Sequence, residues 1–230
     1  MNLSSQIDLS GKIVLLTGAG REPVRSLAVA LAQRGARLSL SDLTPYNLEE
    51  TASAVRAAGG QAACHVADPV KGLAARALFE EVLDAWEGLD ALVLCPRAEP
   101  VTPLLRLDEW DWQRTLEANL SAPFLLMQTT GAWMRAESRP GLFINLISTG
   151  PADPPDASRF AFQAAQAGLA AFTRSTAQEL WAYNIRTYGF YLGEQPDPVG
   201  LIESVLPLFD PAVSESAGSL WTVTQRRRKG

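Results

Sequence analysis

KIVLLTGAGREPVRSLAVALAQRG, residues 12–35, begins as a strand and ends as a helix. Lys12 to Thr17 is a short apolar run, Gly18-Ala19-Gly20 breaks it, and an Ala- and Leu-rich segment of helical period continues to Gly35. Outward from this unit the alternation repeats. Arg37 to Ser41 reads as a second strand ending at Asp42; Thr44 then caps a helix that starts with Pro45 and stops at Gly59 and Gly60. A third strand covers about Ala62 to Val66, and the helix after Asp68 places Leu78, Val82, Ala85 and Trp86 on one face. Ala91 to Cys95 is the fourth strand.

Asp108 to Ala136 carries Leu116, Leu120, Phe124 and Met127 at helical spacing, with a bend expected at Pro123. A fifth strand, Leu142 to Ile147, precedes an Ala-rich helix from about Ala157 to Tyr183. A sixth strand follows at Ile185 to Phe190, then a short helix near Val199 to Phe209 and a last strand around Leu220 to Val223. This order predicts an α/β fold: a single Rossmann-like, doubly wound domain spanning 1–230, with an about seven-stranded parallel sheet and helices on both faces.

Composition narrows the function. The 230 residues are 47% apolar and 20% charged, which is ordinary for a globular chain. A formal net charge of −5 gives no general attraction for nucleic acid or an anionic membrane, and the one basic cluster, Arg226 to Lys229, reads as a solvated tail over 226–230. Cys64, Cys95 and the single His65 lack metal-ligand spacing, so no metal site is expected. The start of the chain lacks a signal-peptide pattern and no stretch approaches a membrane span, which predicts a cytoplasmic address.

In an open α/β sheet, ligands bind at the carboxyl ends of the strands. There Thr17-Gly18-Ala19-Gly20-Arg21 follows the first strand, Asp42 the second and Asp68 the third. Asn119 lies in the long helical segment, Ser148 ends Asn145-Leu146-Ile147-Ser148, and Ile185-Arg186 with Gly193 marks the sixth strand and its turn. In these features the chain resembles the short-chain dehydrogenase/reductase family over about residues 8 to 225. The resemblance implies phosphate contacts from Gly18 and Gly20, an adenosine-ribose contact from Asp42, as in NAD-preferring members, and an adenine contact from Asp68. It also implies catalytic roles for Asn119 and Ser148.

The same resemblance exposes departures. The second half of the glycine turn reads Glu22-Pro23-Val24, so a carboxylate replaces a glycine and a proline removes an N–H donor. At an effective dielectric near 20, Glu22 at ~5 Å from a phosphate charge would cost up to ~3 kcal/mol. A lost charge-assisted hydrogen bond adds about 1.5–3 kcal/mol. The fourth-strand loop reads Leu94-Cys95-Pro96-Arg97, which puts a guanidinium where the family has a glycine. Arg97 is expected to pair with Glu22 or Glu99, or to bind a different anion. Aligned on Gly168, Phe162 replaces the family's catalytic tyrosine and Gln166 its lysine. No tyrosine has a lysine four residues on, and the lysines are Lys12, Lys71 and Lys229. Phenylalanine has no proton to give. Only Glu194-Gln195-Pro196-Asp197-Pro198 stands where the family carries a longer substrate-covering segment.

These features predict a catalytically inactive homologue, acting as a structural or regulatory subunit in a homo-oligomer or in a hetero-oligomer with an active relative. No cofactor is expected, NAD(H) being the one to bind if any does. Two other readings stand beside it: an NAD(P)-dependent oxidoreductase using Ser148, Asp156 or a water as proton donor, and a small-molecule or nucleotide sensor anchored by Arg97 and Asp42. Assembly is expected through Asp108 to Ala136 and Ala157 to Tyr183, the second offering Ala161, Ala164, Ala165, Gly168, Leu169 and Phe172 for close helix approach.

Overall fold

Seven parallel strands form one sheet in the order β3-β2-β1-β4-β5-β6-β7. They are β1 (Ile13–Thr17), β2 (Arg37–Asp42), β3 (Gln61–Val66), β4 (Ala91–Leu94), β5 (Gly141–Ile147), β6 (Ile185–Tyr191) and β7 (Leu220–Thr222). This computed structural model describes residues 7–148, 156, 158–193, 196–213 and 218–223. The tail at 226–230, Glu194 and Gln195, and the expected helix start at Ala157 lie outside the described residues.

The central strands are mostly apolar because both faces are covered, with Asn145 of β5 as a buried polar exception. Along β1, side chains alternate between two cores. Val14 and Leu16 pack with Leu27 and Leu31 of α1 (Val24–Ala32), Leu48 and Val55 of α2 (Pro45–Ala57), and Leu201 and Val205 of α7 (Pro198–Val205). Ile13 and Leu15 turn the other way, toward Leu78 and Val82 of α3 (Gly72–Trp86) and Leu126 and Met134 of α5 (Ala122–Ala136). Each fully buried leucine contributes about 1.5–3 kcal/mol by leaving water. The sheet grows from β1 toward β3 and then restarts at β4 on the other side. This reversal opens a crevice at the carboxyl ends of β1 and β4.

The segment expected as one helix bent at Pro123 is divided. α4 (Glu109–Leu116) runs into a π-helical turn, Glu117–Ser121, before α5 begins. Pro123 has no N–H for the carbonyl four residues back and its ring crowds that carbonyl, so the distortion falls on the turn containing Asn119.

The assembly face of α6 (Phe160–Leu180) also differs from expectation. Ala161, Ala165 and Leu169 are buried in the chain's own core. Gly168 faces Leu120, whose Cδ2 would stand 3.0 Å from an added Cβ. The exposed small residues are Ala164, Ala167 and Ala171, with Phe172 stacked edge-on against Phe124 at 6.1 Å. Among the described residues no helix is long and apolar enough to cross a membrane.

Candidate functional site

The glycine turn is fixed from several sides. Gly18 has φ +65°, and a Cβ there would stand 2.5 Å from the Cys95 carbonyl oxygen, so glycine is required twice over. Gly20 N–H donates to Asp42 Oδ2 at 2.9 Å, and Thr44 N–H donates to Oδ1 at 3.2 Å. Asp42 is thus buried against the turn with both carboxylate oxygens engaged. Arg25 Nη2 donates to the Gly20 carbonyl at 2.8 Å, and Thr51 Oγ1 to the Ala19 carbonyl at 2.7 Å. Glu22 does not pair with Arg97. Its Oε2 accepts the Ser26 N–H at 3.2 Å, so a side-chain carboxylate occupies a donor of the first turn of α1.

Ion pairs join the walls of the crevice. Arg97 Nε lies 3.0 Å from Glu99 Oε2, one of the two pairings expected from the sequence, and Glu99 Oε1 lies 2.7 Å from Arg159 Nη1. Asp68, expected at an adenine contact, is bound by Arg114 Nη2 at 2.6 Å, and Lys71 pairs with Glu117. A Thr102 N–H to Ser158 carbonyl bond of 2.8 Å ties the loop after β4 to the entry of α6. The cavity between Gly18, Arg21, Asp42, Asp68, Cys95 and Arg97 measures about 100 Å³. Small-molecule sites generally run to roughly 300–1,000 Å³.

Asn119, Ser148 and Gln166 are brought together in a buried amide network. Asn119 Nδ2 donates to the carbonyls of Ala98 and Thr115 at 2.7 and 2.9 Å, while its Oδ1 accepts the Ala98 N–H at 3.1 Å. Gln166 Nε2 donates to Asn119 Oδ1 and to the Pro96 carbonyl, both at 3.3 Å, and Gln166 Oε1 accepts the Ser148 N–H at 2.8 Å. Both amides are fully buried. Phe162, one turn earlier on α6, is buried with the Arg159 guanidinium 5.8 Å from its ring. Ser148 Oγ is buried and has no partner among the described residues.

Two other groups bear on chemistry. Asp156 accepts from Ser158 Oγ at 2.6 Å and Ser158 N at 2.8 Å, which holds its carboxyl below the usual range, so it is ionised and has no proton to donate at neutral pH. The Cys95 thiol, at the cavity floor, is pushed up to about 11 by burial, against the opposing pull of Arg21 and Arg97. It is a neutral thiol under physiological conditions. A thiol titration at pH 8 is therefore expected to find Cys64 reactive in the native protein and Cys95 only after unfolding; two fast thiols would contradict this burial. Among the described residues no three His, Cys, Asp or Glu side chains form a group able to hold a metal ion.

Arg114 and Arg159 escaped the sequence reading because their partners are distant or in irregular loops. Arg159 did leave one signal, its position three residues before Phe162, at the N-cap of α6.

Comparison with known proteins places the chain among relatives. The family model described as short chain dehydrogenase matches residues 12–195. An uncharacterized oxidoreductase of Thermotoga maritima is 29% identical over 181 residues, covering 78% of this chain and 70% of that protein. The mouse (3R)-3-hydroxyacyl-CoA dehydrogenase is 29% identical over 192 residues, 80% of this chain and 74% of that one. The crystal structure of an NAD+-bound xylitol dehydrogenase is 26% identical, with a TM-score of 0.74 over 80% of this chain and 71% of its own.

Proposed function

The chain belongs to the short-chain dehydrogenase family, and we propose that this member has lost hydride transfer and serves as a structural or regulatory subunit. The observation that carries the reading is Gln166. Where the resemblance calls for an ammonium, a neutral amide links the Ser148 N–H, Asn119 and the Pro96 carbonyl. Phe162, at the position of the proton-donating tyrosine, offers only a buried ring. Ser148 and Asn119 are remnants without an acid to complete them.

Family members typically use NAD(H) or NADP(H), and the xylitol dehydrogenase neighbour has NAD+ bound. Here the residues do not fit a dinucleotide. The cavity is about 100 Å³, Glu22 sits on the α1 donor, and Arg97 with Glu99 stands beside the cleft. Gly20 N–H and Thr44 N–H both occupy the Asp42 carboxylate, and Gly18 lies against the Cys95 carbonyl.

The proposed partners are a second copy of the chain or an active relative. The purified protein is expected to run as a dimer or larger at micromolar concentration and to show no NAD(P)-dependent turnover. Ala171→Trp, on the exposed line of α6, is expected to split the assembly while leaving the monomer folded. Gly168→Trp would instead strike Leu120 and disturb the monomer. A wild-type monomer, alone and mixed with a co-encoded relative, would overturn the subunit reading.

A further inference from the structure

Between the loop after β4 and the entry of α6, one carboxylate is held by two guanidinia. Glu99 has Oε2 3.0 Å from Arg97 Nε and Oε1 2.7 Å from Arg159 Nη1, and its side chain is largely buried. The backbone on either side of it is clamped: Ala98 exchanges bonds with the Asn119 amide, and Thr102 N–H donates to the Ser158 carbonyl. Arg159 is set further by Phe162, whose ring centre lies 5.8 Å from the guanidinium carbon. Glu99 satisfies this pair only in part. It takes one nitrogen from each guanidinium, so neither makes the two-point fork that carboxylates and guanidinia favour. Arg97 Nη1 and Nη2 have no hydrogen-bond partner among the described residues. Arg159 Nε is buried without one, Asp156 Oδ2 standing 3.5 Å away. Arg159 is also the N-cap of α6, which starts with no side-chain cap and no acidic residue in its first turn, so the helix adds to the positive field there.

We propose that Arg97 and Arg159 form a carboxylate-binding site that the chain fills with its own Glu99, an internal stand-in that a small carboxylic acid displaces. With Glu99 turned away, two guanidinia face Asp156 alone, which leaves one positive charge in excess for an incoming anion. Displacement needs only rotation of the Glu99 side chain, so the clamps at Ala98 and Thr102 stay closed. An untethered carboxylate is free to fork onto either guanidinium, which the tethered Glu99 does not do. The tether also makes Glu99 a strong competitor, acting as if present at roughly millimolar concentration or above. A simple acid therefore binds the wild type poorly, and a ligand that opens the site adds contacts of its own. The proposal stands independently of the loss of hydride transfer, since Gln166 takes no part in the site.

The test is chemical rescue by acetate, read as thermal stability. Glu99→Ala removes the stand-in and leaves two guanidinia without it, so the variant is expected to melt below the wild type. Sodium acetate at about 100 mM is expected to raise its Tm by roughly 3 °C or more above sodium chloride at the same ionic strength, as for a ligand bound with a dissociation constant near about 10 mM. The wild type, with its site filled, is expected to gain about 1 °C or less. Adding Arg97→Gln or Arg159→Gln to Glu99→Ala is expected to weaken acetate binding about tenfold or more, the cost of one charge-assisted contact. Glu99→Gln, close to the native volume, carries the same expectation where Glu99→Ala does not fold. Four results would each overturn the inference: acetate no better than chloride, an equal gain in the wild type, rescue that survives both arginine substitutions, or failure of both Glu99 variants to fold with acetate present.

Discussion

Gln166→Lys is expected to destabilise the protein by roughly 3–5 kcal/mol, and together with Phe162→Tyr to give no reductase activity. Gln166 is fully buried and serves as acceptor for Ser148 N–H and donor to Asn119 and Pro96. Lysine keeps donors but cannot accept, so the Ser148 N–H loses its partner and an ammonium enters a site with no nearby carboxylate bonded to Gln166. The paired tyrosine adds a hydroxyl where Phe162 is packed closed. Restoring the two chemical groups therefore weakens the network and leaves the cleft as narrow as before. Urea unfolding measures the first effect and NADH oxidation with simple ketones the second. A double variant of wild-type stability that oxidises NADH clearly above background would show that the helix was the only defect.

Asn119→Asp is the second large effect, also roughly 3–5 kcal/mol at neutral pH. The acceptor bonds to Ala98 N–H and Gln166 survive in principle, but both donations from Nδ2, to the Ala98 and Thr115 carbonyls, are lost. A carboxylate oxygen would then face carbonyl oxygens inside the protein. The loss should depend on pH in a defined direction. Burial raises the new carboxyl's folded pKa above its unfolded value of about 3.9, so the unfolded state ionises first as pH rises. The penalty is small below that unfolded value, where both states are protonated, and reaches its full size only above the raised folded pKa. Unfolding free energies of wild type and variant should therefore converge on acidification. A constant gap from pH 4 to pH 8 would mean that Asn119 is not the buried clamp described here.

Much of the fold was legible because hydrophobic period and turn residues agree along this chain. The first strand and turn at residues 12–20 set the pattern, and all seven strands fall within a residue or two of their expected bounds. The π-helical turn was not legible. Pro123 marks a distortion, but the shape it takes depends on Asn119 finding Ala98 across the cleft. The α6 face was misjudged for a similar reason: small residues on a helix look alike in sequence, and only Leu120 shows that Gly168 is already covered.

For the site, residue identity was legible and partnership was not. Gln166 stands out as a replacement, yet its bond to Pro96 spans 70 positions that no local pattern connects. Glu22 was expected to repel a phosphate from its place in the turn; in the structure its carboxylate has itself taken the Ser26 donor. Asp68 matches an adenine contact by position but is held by Arg114, 46 residues away. Arg97 bonds Glu99, near in sequence and one of the two carboxylates expected for it.

Isothermal titration of the wild-type chain with NADH tests the central claim most directly. With Glu22 on the α1 donor and a cavity of about 100 Å³, the dissociation constant should be weaker than about 1 mM. A micromolar constant for NADH would contradict the account, because it would require the cleft to open and accept a pyrophosphate beside Glu22 and Arg97.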